Sequence, residues 1–206
     1  QIMVAYKHWQ TIGVDIYSKG DRIQILEQES QMPLAEAIIT EVDVLNNYKT
    51  ILTLDTLSEV VTEGMIVESL DDNAEALIQN NIIRNNRARG MLLASKGKTV
   101  VRNNHFNSGA AAIQFESDPF KWYECGGTRD VLIEGNLFRR AGYGFGSTRP
   151  DGHNQGHIRS GGTSNPFENF VIRNNIFDRS ASMILHCGVQ DEKHLPTMSG
   201  NIYIHM

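Results

Sequence analysis

A strand-like segment that ends in asparagine recurs four times in the last two-thirds of the chain, and it constrains the fold more than any other feature. Counted from the final asparagine of each copy, a β-branched apolar residue stands three positions before it, and an isoleucine or phenylalanine stands two positions after it. The copies span residues 76–83, 99–106, 131–138 and 170–177. Segments that repeat the same apolar face stack on one another, so the pattern predicts a solenoid.

The spacing of the copies indicates which kind of solenoid forms. Asn81 and Asn104 are 23 residues apart, about one coil of a parallel β-helix, whereas the next two spacings are 32 and 39 residues. The longer spacings leave roughly 9 and roughly 16 extra residues, which we expect to form loops on one face. A second apolar stretch follows each copy and predicts a second sheet. These stretches are residues 90–93, 111–115, 142–145 and 182–185.

Alternation within the repeat predicts which side chains are buried. It places Thr99, Val101 and Phe106 toward an interior and Arg102 toward solvent. Parallel coils stack about 4.8 Å apart, so an asparagine repeated at the bend can bond its equivalents above and below through the side-chain amide. We therefore predict an internal asparagine ladder rather than a ligand site. Its members are Asn81, Asn104, Asn136 and Asn175.

The first 70 residues lack the repeat and show short alternating strands. Turn-forming pairs at residues 20–21, 46–47 and 63–64 separate them. Hairpin-like spacing of four or five strands predicts a small antiparallel barrel or sandwich. This region carries no compact catalytic motif.

Composition and motifs exclude several classes of function. The chain of 206 residues carries a net charge of −5 and no basic stripe, so we expect no nucleic-acid partner. No apolar run approaches the roughly 18 residues of a membrane span. His153 and His157 stand four apart outside any helix and without a metal-binding motif, so we predict no metal and no cofactor. Cys125 and Cys187 are separate thiols or one disulfide; the sequence leaves both open.

The insertion after the second copy concentrates groups that suit glycoside hydrolysis. That reaction needs two carboxyl groups flanking the scissile bond, and an aromatic side chain often supports the sugar face. The candidate catalytic residues are Asp118, Glu124 and Glu116, and the candidate aromatic platform is Trp122 or Tyr123. The alternative interpretation is that Asp118–Pro119 is a turn and Trp122 a packed loop anchor.

Three further residues are candidates for substrate binding. Arg87 and Arg89 stand one coil before the acidic insertion, where an arginine can reach a sugar hydroxyl or a carboxylate of the next coil. A solvated charged edge explains them equally well. His186 ends an apolar stretch and can face the same groove as Asp118, or pack at the edge of the core.

Residues 84–93, 97–106 and 116–133 together resemble glycoside hydrolase family 110, the bacterial inverting α-galactosidases that remove terminal α-1,3-linked galactose. The resemblance implies a right-handed parallel β-helix interrupted by a small β-barrel domain. It places Asp118 and Glu124 in the acidic loop of the family and Arg87 and Arg89 in its arginine motif. Cys125, where a small hydroxyl residue is expected, and residues 143–162 depart from the family pattern.

The resemblance and the repeat together imply a fold, a division into domains and a function. We expect an all-β chain with residues 1–10 as a candidate β-helix strand, residues 11–70 as an inserted β-barrel, and residues 71–206 as β-helix coils. We expect a secreted or periplasmic α-galactosidase whose partner is an oligosaccharide or glycan. The alternatives are another β-helix carbohydrate enzyme, such as a different exo-glycosidase or a polysaccharide lyase, and a non-catalytic glycan-binding β-helix.

Overall fold

The computed structural model describes residues 1–5, 16–115, 128–142, 157–160, 167–179, 185–186 and 195–205. The described residues form strands and turns without an α-helix, so the chain is all-β. They fall into two compact units, Gln1–Asn73 and the part from Ala74 onward. Within the described ranges there is no apolar helix long enough to cross a membrane.

The first unit is an antiparallel sheet of five strands. In chain order they are β1 (Ile2–Ala5), β2 (Arg22–Leu26), β3 (Pro33–Asn46), β4 (Lys49–Leu54) and β5 (Ile66–Ser69). Their spatial order is β1-β4-β3-β2-β5, and every neighbouring pair is antiparallel. The β3–β4 hairpin closes where Asn46 Oδ1 accepts a hydrogen bond of 2.9 Å from the N–H of Tyr48. Ile23, Ile39 and Leu52 are fully buried at the centre of this unit.

The first strand corrects one prediction. The sequence suggests a β-helix strand within residues 1–10, but Ile2–Ala5 pairs antiparallel with β4, with Ile2 opposite Leu52. Ile2 and Val4 pack against the core of the small unit, and this burial decides the pairing. Residues 6–10 lie outside the described part of the chain.

The second unit consists of three parallel sheets. The first contains β6 (Ala76–Gln79), β9 (Thr99–Arg102), β12 (Thr128–Glu134), β15 (Phe167–Arg173) and β18 (Thr197–Ser199). The second contains β7 (Ile82–Asn86), β10 (His105–Ser108), β13 (Leu137–Arg139), β16 (Ile176–Asp178) and β19 (Ile202–Ile204). The third contains β8 (Met91–Leu93), β11 (Ile113–Phe115), β14 (Ile158–Ser160) and β17 (Leu185–His186). In each sheet, strands from successive coils are neighbours, so the chain visits the three sheets in turn.

Each predicted strand-plus-asparagine segment is two strands, which belong to the first and second sheets, with the asparagine at the bend between them. The predicted second sheet is therefore the third sheet of the coil. In the third coil, residues 142–145 were expected to supply its strand, but Ile158–Ser160 occupies that position beside β11. Residues 143–145 lie outside the described residues.

The interior of the coils confirms the predicted alternation. Thr99, Val101 and Phe106 are buried, and Arg102 is exposed. Aromatic rings at equivalent positions of the second sheet stack in a column, with ring centroids 5.1, 4.9 and 5.8 Å apart. The column consists of Phe106, Phe138, Phe177 and Tyr203. Parallel stacking holds successive coils in register because each ring fits the ring of the coil beside it.

The asparagine ladder is also confirmed, and Asn201 extends it into a fifth coil. The backbone N–H of each asparagine donates to Oδ1 of the next at 2.9 Å, and its Nδ2 donates to the same oxygen at 3.0–3.1 Å. From Asn104 onward, Nδ2 also donates to a first-sheet carbonyl of the preceding coil, as from Asn136 to Val101 at 2.9 Å. The bend thus satisfies polar groups that the turn of the backbone would otherwise leave unpaired.

The residue before each ladder asparagine explains why the motif reads Asn-Asn or Gly-Asn. Asn80, Asn103, Gly135, Asn174 and Gly200 all have φ between +54° and +65°. Glycine and asparagine adopt this left-handed conformation at the lowest cost. A Cβ at position 135 would lie 2.6 Å from Oδ1 of Asn103, so a side chain there would force that amide to move.

Candidate functional site

Two polar side chains, those of Gln114 and Arg159, project from the outer face of the third sheet. Parallel pairing aligns Leu92, Gln114, Arg159 and His186 across four neighbouring strands. Ile113 and Ile158 stand one residue earlier on their strands and are fully buried in the core. Because side chains alternate along a strand, Gln114 and Arg159 face away from that core.

Gln114 and Arg159 differ in their surroundings. Gln114 is only 7% exposed although it faces away from the core. Arg159 is half-buried, and its guanidinium has no hydrogen bond or ion pair with any described residue. A guanidinium carries five N–H donors, and in Arg159 none of them meets an acceptor within the described part of the chain.

The acidic insertion leaves the carboxyl end of this sheet. Phe115 ends β11, and Thr128 begins β12 of the next coil, so residues 116–127 connect the third sheet to the first. Five predicted site residues lie in this connection, outside the described part of the chain, and their roles stay predictions. They are Glu116, Asp118, Trp122, Tyr123 and Glu124.

The second long insertion joins the sheet at the other end of its strands. Residues 143–156 lie outside the described ranges, and His157 follows them immediately before β14. The two insertions therefore attach at opposite ends of adjacent strands, β11 and β14. The outer face that carries Gln114 and Arg159 lies between these two attachment points.

The predicted arginines stand at the corner between the second and third sheets. Arg87 and Arg89 are exposed, and neither forms an ion pair within the described residues. The Nδ2 of Asn86 donates to the carbonyls of Arg89 and Gly90 at 3.3 Å and fixes the turn. Gly109 in the next coil lies so close to the carbonyl of Arg87 that a Cβ there would approach it to 2.5 Å. This corner corresponds to the second insertion, not to the end from which the acidic insertion leaves.

His186 lies beside Arg159 in the register of the sheet, on the last of the four strands. Its side chain lies outside what the structure describes, so the predicted contact with substrate stays a prediction. The register nevertheless places it on the same strand row as Arg159 and Gln114.

Asp130 follows the acidic insertion and has a structural role. It adopts φ +54°, and Asn169 in the next coil adopts φ +50°. Asn169 Nδ2 donates to Asp130 Oδ1 at 2.9 Å, so this carboxylate bonds the neighbouring coil. Such irregularities in a strand re-aim the chain beside it, here at the return of the acidic insertion to the first sheet.

His157 belongs to the hydrophobic core. It is fully buried, and its ring lies 5.9 Å from Phe138 and 5.4 Å from Phe177. Neither ring nitrogen has a hydrogen-bond partner in the described part of the chain. Burial lowers the pKa of His157 to about 4, while the Asp178 carboxylate opposes that shift. His157 is therefore neutral at pH 7.

Among the described residues, no three His, Cys, Asp or Glu side chains come close enough to form a metal site. His153, the other histidine of the predicted pair, lies outside them.

Comparisons with known proteins give the chain its family. Residues 1–67 match the family GLAA-B beta-barrel domain II. Alpha-1,3-galactosidase A of Akkermansia muciniphila is 29% identical over 211 residues, covering 97% of this chain and 33% of that protein. Alpha-1,3-galactosidase A of Streptomyces avermitilis is 30% identical over 151 residues, covering 68% of this chain and 24% of that protein. Alpha-1,3-galactosidase B of Bacteroides thetaiotaomicron is 33% identical over 128 residues, covering 62% of this chain and 21% of that protein.

The chain belongs to the α-1,3-galactosidase family, glycoside hydrolase family 110. The resemblance drawn from the repeat and the acidic insertion is thereby confirmed at the level of the family. The chain spans between about a fifth and a third of the length of these relatives.

Sequence reasoning missed Gln114 and Arg159 as candidate site residues. They stand 45 residues apart in the chain, and only the pairing of β11 with β14 brings them together. The available signal was a polar residue flanked by buried isoleucine or phenylalanine within a short strand, which marks an outward position beside the core.

Proposed function

We propose that this chain is part of a glycoside hydrolase that removes terminal α-1,3-linked galactose from oligosaccharides or glycans. The observation that carries the proposal is the similarity of 97% of the chain to one protein named alpha-1,3-galactosidase A, at 29% identity. The GLAA-B barrel match over residues 1–67 supports it independently.

The fold we propose is a right-handed parallel β-helix with a small β-barrel domain. Three parallel sheets visited in the same order by each coil support the β-helix. The barrel family match and the five-stranded antiparallel sheet support the small domain. We place the barrel in residues 11–70 together with β1, which pairs with β4, and we place the coils from residue 71 onward.

The chemistry we propose uses two carboxyl groups of the acidic insertion. Asp118 and Glu124 flank the scissile bond, with Glu116 as a third candidate. In an inverting enzyme one protonates the leaving oxygen while the other activates water, and the two stand about 6.5–9.5 Å apart. Trp122 or Tyr123 supports the sugar face. The position of this insertion, directly after the polar row of the third sheet, supports the assignment.

Arg87, Arg89 and His186 are proposed to bind substrate hydroxyls. A secreted or periplasmic location is part of the same proposal because the substrate is a glycan. Detection of the protein in a periplasmic or culture fraction, with a cytoplasmic marker absent from that fraction, tests the location.

Galactose release from an α-1,3-galactosyl disaccharide by the full-length protein tests the function. We expect Asp118→Ala to lower kcat about 10³-fold, the scale of a lost acid–base group. The matched control is Asp130→Asn, whose carboxylate bonds Asn169 and lies in the structural part of the coil. It is expected to lower stability and leave kcat near that of the wild type.

The outcomes of this assay separate the proposals. Release that survives Asp118→Ala removes Asp118 from the catalytic pair and keeps the family activity. The absence of release from any α-galactoside contradicts the galactosidase function, and binding without turnover then favours a glycan-binding β-helix.

A further inference from the structure

We propose that the end of the coil stack formed by β18 and β19 binds a further coil of the full-length chain, built on the same strand-plus-asparagine segment. The end surface, residues 197–204, presents to solvent the positions that earlier coils bury. The inference concerns an interaction surface of the coils and goes beyond the proposed galactosidase function.

Exposed core positions mark the end surface. The segment recurs a fifth time here, with Met198 three positions before Asn201 and Tyr203 two positions after it. Met198 pairs with Ile172, and Tyr203 pairs with Phe177 of the preceding coil. Both partners are fully buried, whereas Met198 is 38% and Tyr203 48% exposed. Apolar side chains at core positions gain stability only when they leave water, so these two positions fit a partner that covers them.

The last ladder asparagine has an unused donor at this surface. Asn201 Oδ1 accepts both hydrogen bonds from Asn175, and Asn201 Nδ2 donates to the carbonyl of Ile172 at 3.0 Å. In each earlier coil the backbone N–H donates to Oδ1 of the next ladder asparagine, but the N–H of Asn201 has no acceptor within the described part of the chain. An asparagine at the same position one coil further on supplies that acceptor.

The aromatic column indicates which side chain the further coil carries. Phe138 has a ring on each side, with centroids 5.1 Å from Phe106 and 4.9 Å from Phe177. Tyr203 stacks on Phe177 at 5.8 Å with an interplanar angle of 13°, so the opposite face of its ring lies on the end surface. An aromatic residue or an isoleucine two positions after the new asparagine fits against that face.

A coil of the same chain fits this surface better than a second copy of the protein does. A two-fold axis would bring identical surfaces together, so the N–H of one Asn201 would face another N–H instead of an acceptor. Copies stacked head to tail would form an open filament. A following coil instead extends both parallel sheets at their edge strands, β18 and β19. The chain spans 33% of alpha-1,3-galactosidase A of Akkermansia muciniphila, so a protein of that length has residues to form such a coil.

The same continuation extends the sheet that carries His186. Successive coils visit the first, second and third sheets in turn, so the strand that follows β19 belongs beside β17. Within the described residues, β17 is the edge of the third sheet, and it contains His186. We therefore expect this proposed substrate contact to lie between two strands in the full-length protein.

Photo-crosslinking of the full-length protein tests the proposal. Tyr203→p-benzoylphenylalanine places a photoreactive ring on the end surface, and mass spectrometry identifies the peptide that it captures. We expect a peptide of the same chain in which an asparagine stands about two residues before the captured position. Tyr48→p-benzoylphenylalanine is the matched control, because Tyr48 is a similarly exposed tyrosine of the first unit, and it is expected not to capture that peptide.

Oxidation of methionine by peroxide tests the same surface without a substitution. In the folded full-length protein, we expect Met198 to oxidise at least about 10-fold more slowly than in the unfolded chain, because a covering coil removes its sulfur from solvent. Met3, which is 58% exposed in the first unit, is the reference residue. Melting temperatures show whether the photoreactive variants are folded.

Four outcomes overturn the proposal. The first is oxidation of Met198 at the rate of the unfolded chain, which leaves the end surface in solvent. The second is a cross-link between copies, detected as a mixed mass when labelled and unlabelled protein are combined, which makes the partner a second copy. The others are capture of a peptide without the asparagine and a folded variant that captures nothing. None of these readouts requires turnover, so the galactosidase function is tested separately.

Discussion

At the scale of single residues, His157 is a titratable group in an apolar part of the described core of the coils. His157 lies between the rings of Phe138 and Phe177, and burial holds its pKa at about 4, below its ordinary value of 6.5. The unfolded chain therefore takes up a proton on this residue at a higher pH than the folded chain does. The contribution of the neutral His157 to the free energy of unfolding is fully present above pH 6.5, and it is lost as the pH drops from 6.5 toward 4.

Protonation of His157 on unfolding makes the stability of the protein depend on pH between 6.5 and 4. The contribution of His157 to the loss of stability across that window is about 3 kcal/mol. His157→Phe keeps the ring contacts and removes the titration, so its melting temperature should fall less between pH 6.5 and 4 than that of the wild type. The control is His205→Gln, because His205 is an exposed histidine beside the same Asp178 carboxylate. A wild-type slope in His157→Phe would show that His157 does not titrate with folding.

The residue scale also explains why part of the candidate site could not be predicted. Asp118 and Glu124 could be identified as candidates from the sequence because carboxylates and aromatic residues cluster within one short segment. Gln114 and Arg159 have no local signal, since their relation depends on pairing between strands separated by an insertion of unpredictable path. The assignment of Asp130 to the bond with Asn169 also needed the register of β12 against β15.

At the scale of elements, the asparagine ladder is the device that joins one coil to the next. Asn136 is 1% exposed and bonds both neighbouring ladder members as well as the carbonyl of Val101. Loss of its side chain leaves several buried groups without partners, and each costs about 1–3 kcal/mol.

We therefore expect Asn136→Ala to lower the free energy of unfolding by about 3 kcal/mol or more. Asn81→Ala at the exposed end of the ladder is the matched control, because Asn81 donates to Asn104 and to its own strand but accepts nothing from another ladder asparagine. Asn81→Ala is expected to lower the free energy of unfolding by about 1 kcal/mol. Chemical denaturation of both variants measures the difference, and equal costs would contradict a ladder whose strength comes from burial.

The ladder and the inward positions could be predicted because the same residues return at the same points of each coil. The third strand of the third coil could not be predicted, because residues 143–156 separate β14 from the repeated segment that precedes it in the chain. The prediction that β1 belongs to the β-helix was wrong because a strand of four residues is too short to show a pattern of its own. Its pairing is decided by contacts with residues about 50 positions later in the chain.

At the scale of the whole molecule, the chain combines a GLAA-B barrel match with stacked parallel coils and belongs to the α-1,3-galactosidase family. Family membership follows from the comparisons, whereas activity and site residues are proposals, since the chain covers about a quarter of the length of a typical relative.

The proposed reaction has a stereochemical consequence. In an inverting enzyme, water attacks from the face opposite the leaving group, so an α-galactoside yields β-galactose as the first product. A retaining enzyme, whose carboxyl groups stand about 5–5.5 Å apart, yields the α-anomer instead.

Proton NMR of the full-length protein acting on an α-1,3-galactosyl disaccharide is the most direct measurement, because it detects both the release of galactose and its anomeric form. We predict that β-galactose appears first and that the α-anomer accumulates only later by mutarotation. Initial formation of α-galactose would contradict the inverting arrangement of Asp118 and Glu124, and the absence of galactose would contradict the α-galactosidase function itself.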